Sequence, residues 1–331
     1  MRKTCSVVSR IAAVGLLTAG IAAVQSPAAA KEIRLGLGDI ESVETLNLLI
    51  AIEQTKARGV DVKLITFKSE DIANQAVVNG QADMASGTPY AVIQKVKAPI
   101  RMFFQLSTLV FFPVVNTDYY KTWKDLDGGD LVVHSRTSGT LAIANLMAQK
   151  EGIKYGSISY VPGSEVRALA MLKGNIKATV IDWPNTQMLM EKGGKKFAVL
   201  PLGELKASDE ALFARQDYLD KNAADVAVFI EELIKTWRTI NKNPAWVAEQ
   251  RTKYSLLKDL PKDLEKDIVP YFDQGAKSAM FPNDGGGLRA AKADLDFYSV
   301  AGQIQGSAAD LKVEDFWDMK PLDAALKKLG N

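Results

Sequence analysis

Two stretches decide the fold: SEDIANQAVVNGQADMASGTP, residues 69–89, and SEVRALAMLKGNIKATVIDWP, residues 164–184. Each begins Ser-Glu, runs on as a helical pattern, stops at a glycine (Gly80, Gly174), and continues as a short apolar stretch. The first ends in the polar loop Ser86-Gly87-Thr88-Pro89, the second in Ile181-Asp182-Trp183-Pro184. Ser before acidic residues suits a helix start, and Gly suits its end. Cap, helix, stop, strand and loop, given twice, predict two α/β lobes of similar plan. Ligands of open α/β sheets bind at the carboxyl ends of strands, so facing loops of this kind predict a cleft.

The remaining pattern fits around these units. Glu32–Leu37 alternates as a first strand, Gly38–Ser42 is a loop, and Val43–Ala57 is a helix stopped by Gly59. Asp61–Phe67 reads as a strand. Met102–Val115 reads as two strands joined by a polar turn. Leu131–His134, Ile158–Val161 and Phe197–Leu200 are further strands, and Ser138-Gly139-Thr140 opens a helix that ends near Gly152. Beyond Leu202 the pattern reads as helical throughout, broken at Asp284-Gly285-Gly286-Gly287. Alternating strands and helices imply mainly parallel sheets. The expected organisation is a first lobe of residues 31–117 plus 202–331 and a second of 118–201. The chain crosses between them near Val114–Thr117 and Leu200–Gly203, a plausible hinge.

The N-terminus reads as a secretory signal: Arg2, Lys3 and Arg10, then apolar Ile11–Val24, then Ala28-Ala29-Ala30, with cleavage expected after Ala30. Without those three basic residues the chain keeps 38 Lys+Arg against 39 Asp+Glu, which offers no basic excess for a nucleic-acid partner. The one cysteine, Cys5, lies before the apolar run, so the mature chain is expected to carry no disulfide, no cysteine nucleophile and no lipid anchor. His134 is the single histidine and reads as a strand-end residue with a satisfied ring. No HExxH, Cys-rich zinc pattern or GxSxG elbow is present, and neither a metal nor a cofactor is expected.

From Ile33 to Leu329 the chain resembles the periplasmic substrate-binding proteins of ABC importers in the nitrate, sulfonate and taurine group. The stretches that carry the resemblance run from Phe67-Lys68-Ser69-Glu70 to Pro89, then Lys97–Ile100 and Trp123–Leu126. His134–Thr140, Leu172–Pro184 and Glu314–Leu326 complete them. The resemblance implies a type II binding-protein fold, a monomer that closes two α/β lobes on a small organic molecule and docks on a permease and ATPase complex. It implies ligand contacts from Asp39, Ile40 and Glu41, from Ser86, Gly87 and Thr88, from Arg136, Thr137, Ser138, Gly139 and Thr140, and from Ser164, Asp182 and Trp183. Helix starts bind anions well, so Thr88 and Ser138-Gly139-Thr140 suit an oxyanion. Arg136 reads equally as a solvated loop cation, Trp183 as a core residue, and Ser164 as a helix cap. The acidic Gly38-Asp39-Ile40-Glu41, and Asp182 before rather than after the tryptophan, depart from the family pattern. Carboxylates at a cleft argue against nitrate and favour a zwitterion such as taurine, or a donor-rich heterocycle. The alternatives are the same fold binding a pyrimidine or an aromatic acid, a ligand-presenting sensor protein, and an enzyme related to thiamine-pyrimidine synthases, whose Cys-rich motif and reacting His find no match here.

Overall fold

The computed structural model describes residues 32–330, together with Met1, so the signal-peptide reading and Cys5 lie outside the described residues. The chain divides into Met1–Ala30 and Lys31–Asn331, and the fold described below lies in the second unit. Its strands are β1 Ile33–Leu37, β2 Val62–Thr66, β3 Met84–Gly87, β4 Ile100–Thr108 and β5 Phe112–Asn116. They continue as β6 Asp130–Val133, β7 Ser157–Tyr160, β8 Ala178–Ile181, β9 Phe197–Val199 and β10 Ser208–Arg215. They form two five-stranded sheets, ordered β2-β1-β3-β10-β4 and β7-β6-β8-β5-β9.

The two sheets share one plan. Each has a parallel trio, β2-β1-β3 or β7-β6-β8, whose helices are the repeated units read from the sequence. The fourth strand of each sheet, β10 or β5, is antiparallel to its neighbours. These are the strands by which the chain enters each sheet from the other, so the sheets are mixed rather than mainly parallel. β5, expected to close the first lobe, pairs in the second sheet, and the chain changes sheets between Thr108 and Phe112. It returns between Val199 and Ser208. The helical reading after Leu202 misses β10, whose SDEALFAR sequence carries apolar residues only in its second half.

The first sheet is covered by the helix Ala223–Lys242, whose Val226, Phe229, Ile230, Leu233, Ile234, Trp237 and Ile240 recur at helical spacing and are buried. Burying each large apolar side chain contributes about 1.5–3 kcal/mol. Trp237 meets Phe104 and Phe281 edge to face, and its indole N–H donates to the Leu106 carbonyl at 2.7 Å. A polar network anchors the start of β10. Buried Asp294 accepts from the Ser208 N–H at 2.5 Å, the Ser208 hydroxyl at 2.8 Å and the Tyr90 hydroxyl at 2.6 Å. Tyr90 in turn accepts from the Trp317 indole at 2.8 Å. Burial pushes the Asp294 carboxyl up to about 7, against those three hydrogen bonds.

Candidate functional site

The site is built on loops that follow β1, β3, β6 and β8, together with the start of β10. After β1 the chain turns at Gly38, where a Cβ would sit 2.4 Å from the Glu70 Cα, so only glycine lets this loop lie against the helix Glu70–Val78. Asp39 follows. Its Oδ1 accepts from the Ile40 N–H at 2.7 Å, and its Oδ2 lies 3.6 Å from His134 Nδ1. Ser42 and Thr45 form a capping box around the turn Val43–Thr45, which places Glu44 in the cleft.

The loop after β6 is held to the first half by hydrogen bonds. The Thr137 hydroxyl donates to Asp71 at 2.9 Å and accepts from Asn74 at 3.3 Å, and the Ser135 hydroxyl donates to Glu70 at 3.3 Å. The Thr88 hydroxyl donates to the Thr137 carbonyl at 3.1 Å. Ser138 caps the helix Gly139–Glu151 by accepting from the Leu141 N–H, and it lies 2.8 Å from the Thr140 hydroxyl, which accepts from the His134 N–H at 3.0 Å. His134 sits one residue past β6, its Nε2 3.4 Å from the Gly38 carbonyl, as expected for a strand-end ring with partners.

Two adjoining cavities share these loops: one of about 70 Å³ is lined by the first sheet's elements, and one of about 40 Å³ is lined from both halves. Asp39, Glu44, Asp209 and Glu210 line both, and Glu70 lines the smaller. Against these five carboxyls the same cavities present one guanidinium, Arg167. Arg167 is fully buried and donates to the Val161 carbonyl at 2.7 Å, the Ser164 hydroxyl at 3.2 Å and the Val180 carbonyl at 3.1 Å. Its Nε has no partner among the described residues. Burial lowers its pKa, while Asp39, Asp182, Glu165 and Glu44 raise it.

Crowded, partly dehydrated carboxyls hold their protons. Burial pushes Glu44 well above the usual carboxylate range, assisted by the charge and hydrogen bond of Asp182 and by the charges of Asp39 and Glu165. Burial and the neighbouring Glu210 do the same for Asp209, against a hydrogen bond from Ser107. Burial, then Glu210, Asp209 and Asp39, raise Glu70. Glu210 is pushed up to about 7 by burial and Asp39, against the Ser86 hydroxyl. Burial lowers His134, which favours its neutral ring. Near neutral pH such a site offers carboxylates to a cation and protonated carboxyls to an acceptor.

The structure brings together only part of the set expected from sequence. Asp39, Ser138, Gly139, Thr140 and Ser164 line the smaller cavity, and Ile40 lines the larger. Glu41 is exposed, and Asp39 and Glu44 are the acids of this loop that line the cavities. Thr88, Thr137, Ser138 and Thr140 all spend hydroxyl bonds on the protein itself. Thr88 does not cap: Pro89 is the N-cap of the helix Tyr90–Val96. Nor does Ser164, which stands inside its helix after Gly163 and accepts from Arg167. Ser69 is an N-cap without a side-chain cap bond. Asp182 is buried, caps the helix Trp183–Gly193 by accepting from the Asn185 N–H at 2.8 Å, and presses on Glu44. Arg136 lies 4.5 Å over the Tyr160 ring, and its N–H donates to Asp71 at 3.3 Å. Ser86 and Gly87 end β3, with Ser86 beside Glu210. Trp183 is half-buried at the cleft mouth.

Sequence reasoning missed Glu44, Glu70, Arg167, Asp209 and Glu210. Asp209 and Glu210 were legible only as polar residues in a segment read as helix. Arg167 had one available signal: a lone cation three residues past the start of a repeated unit.

Thr88 supplies a direct test of the contact between the halves. Thr88→Val keeps the shape and leaves the Thr137 carbonyl without its donor, so it should cost about 1 kcal/mol in urea denaturation. An unchanged midpoint would show that this bond contributes nothing.

A protein of Bordetella bronchiseptica RB50 superimposes with a TM-score of 0.72 at 22% identity, over 91% of this chain and 98% of that one. The periplasmic nitrate-binding protein of Synechocystis PCC 6803 does so with a TM-score of 0.68 at 14% identity, over 90% of this chain and 89% of its own. The zinc-bound ligand-binding component of an ABC-type import system from Staphylococcus aureus gives 0.66 at 15% identity, over 89% and 99%. No curated protein matches the sequence. These likenesses establish the two-lobed α/β, type II periplasmic binding-protein fold. The family model described as NMT1/THI5 like matches residues 47–246, and the chain belongs to that family.

Proposed function

We propose that this protein is an extracytoplasmic binding protein that captures a small amine-bearing molecule between its lobes and delivers it to an ABC permease and ATPase complex. It acts as an exported monomer, released by cleavage near Ala30, and it binds rather than transforms its ligand. The lobes turn about the two passages between the sheets. The observation that carries the ligand class is the cluster of five carboxyls around one buried guanidinium. A plain anion such as nitrate meets net repulsion there, whereas an ammonium replaces the protons that the crowded carboxyls would otherwise keep.

An amino-sulfonate of the taurine type fits this polarity. Its sulfonate faces Arg167 and the helix start at Gly139-Thr140, and its ammonium faces Asp39, Glu44, Asp209 and Glu210. A donor-rich heterocycle such as an aminopyrimidine is the second reading. It is favoured by Glu210, which near neutral pH is divided between a donor and an acceptor form. A thermal-shift screen tests the class with taurine, simple amines, aminopyrimidines, alkanesulfonates and nitrate. A specific ligand at 100 times its Kd should add about 2.7 kcal/mol of stability. Stabilisation by nitrate or alkanesulfonates, with none by any amine, would overturn the reading.

A further inference from the structure

A groove of about 300 Å³ opens at the mouth of the cleft, several times larger than the inner cavities, with facing apolar walls set among charged residues such as Glu191, Lys192 and Lys266. Its apolar walls are Trp183, Pro184 and Met188 on one side and Leu260, Leu264 and Pro270 on the other. The first three belong to the helix Trp183–Gly193 that Asp182 caps. Leu264 is 38% exposed and Trp183 is half-buried, so the groove presents apolar surface to water. The groove shares lining residues with the inner site. Ser42 lines both the groove and the larger cavity, and Glu44 lines the groove and both inner cavities. Glu165, whose charge reaches Glu44, stands on the same wall as Trp183.

We infer that this groove is the outer half of the ligand site, and that the ligand is an amine carrying an aromatic or aliphatic body beside its nitrogen. The inference rests on the amine-binding reading above. The inner cavities, about 70 Å³ and 40 Å³, hold a compact head with a cationic nitrogen and a terminal acceptor group. Glu44 marks where the nitrogen sits, because it is the carboxyl common to all three spaces. A substituent on that nitrogen therefore leads past Ser42 into the groove and lies on the Trp183 indole. The unpartnered Nε of buried Arg167, which lines the smaller cavity, awaits the acceptor group. Charge complementarity selects the head, and the apolar walls select the body.

Calorimetry on the full mature chain with taurine and N-benzyltaurine, and with ethylamine and 2-phenylethylamine, tests this. The aromatic member of each pair should bind about tenfold tighter, from the apolar area that it buries. Trp183→Ala should remove that gain, bringing the two members of each pair to similar affinity. Leu264→Ser, at an exposed position that folding tolerates, should reduce the gain in the same direction. Equal binding within each pair, or a gain that survives both substitutions, would overturn the outer subsite and leave the amine reading standing. Binding of no amine at all would overturn both.

Discussion

Arg167→Met is expected to destabilise the protein by about 3–5 kcal/mol, the cost of breaking a buried charge network by removing one partner. Methionine fills the volume but leaves the Val161 and Val180 carbonyls without their donors. It also removes the cation that faces Asp39, Asp182, Glu165 and Glu44. The loss should depend on pH. Burial lets Glu44 and Glu165 keep their protons to higher pH than ordinary carboxylates, so the need for a countercharge, and the cost of losing it, should grow as pH rises from 5.5 to 8. Urea denaturation of both proteins at the two pH values measures this. An equal cost at both would mean that Arg167 serves only as a hydrogen-bond donor to the backbone. Any residual binding should lose sulfonates before it loses simple amines.

The unliganded protein should become less stable as pH rises from about 5 to 8. An acid whose pKa is raised by folding keeps a proton that the unfolded chain releases. Stability is therefore present in full below the unfolded pKa and is lost as pH climbs through the folded one. For Asp294, raised from 3.8 to about 7, and Glu210, raised from 4.5 to about 7, the window runs from about 4 to 7. Asp294 contributes on the order of 4 kcal/mol across it and Glu210 on the order of 3 kcal/mol. Glu44, Glu70 and Asp209 add in the same direction. Asp294→Asn should flatten its share of the profile without changing affinity, because Asp294 lies in the network behind β10 and not in the cavities. A bound amine should restore stability at pH 8 more than at pH 5.5, since it replaces those protons. A flat profile for the unliganded protein would mean that water reaches the carboxyls well enough to ionise them freely.

Much of this architecture is legible along the chain. The two Ser-Glu units are the helices Glu70–Val78 and Ser164–Leu172, each leading into the central strand of a five-stranded sheet, β3 or β8. The reason is local: helix periodicity, a glycine stop and an apolar run are all written within about twenty residues. The loops after β1, β6 and β8 were likewise identified, because strand ends are local features. Asp39, the Ser138 helix start and Asp182 stand on them.

What the sequence determined by itself is the repeated unit, the two-lobe plan and the acidic character of the loop after β1. Only the tertiary structure decided which charges share the cleft. β10 enters the first sheet antiparallel, paired to β3 and β4 across more than a hundred residues of chain, and no periodicity in SDEALFAR announces it. That pairing carries Asp209 and Glu210 to Asp39 and Glu44, and the second lobe brings Arg167 to meet them. The hydroxyls that looked like ligand groups, on Thr88, Thr137 and Thr140, already bond to the protein: Thr88 and Thr137 across facing loops, Thr140 within its own. A side chain's preferred partner can be guessed from its type. Which partner it has depends on distances that the fold alone sets.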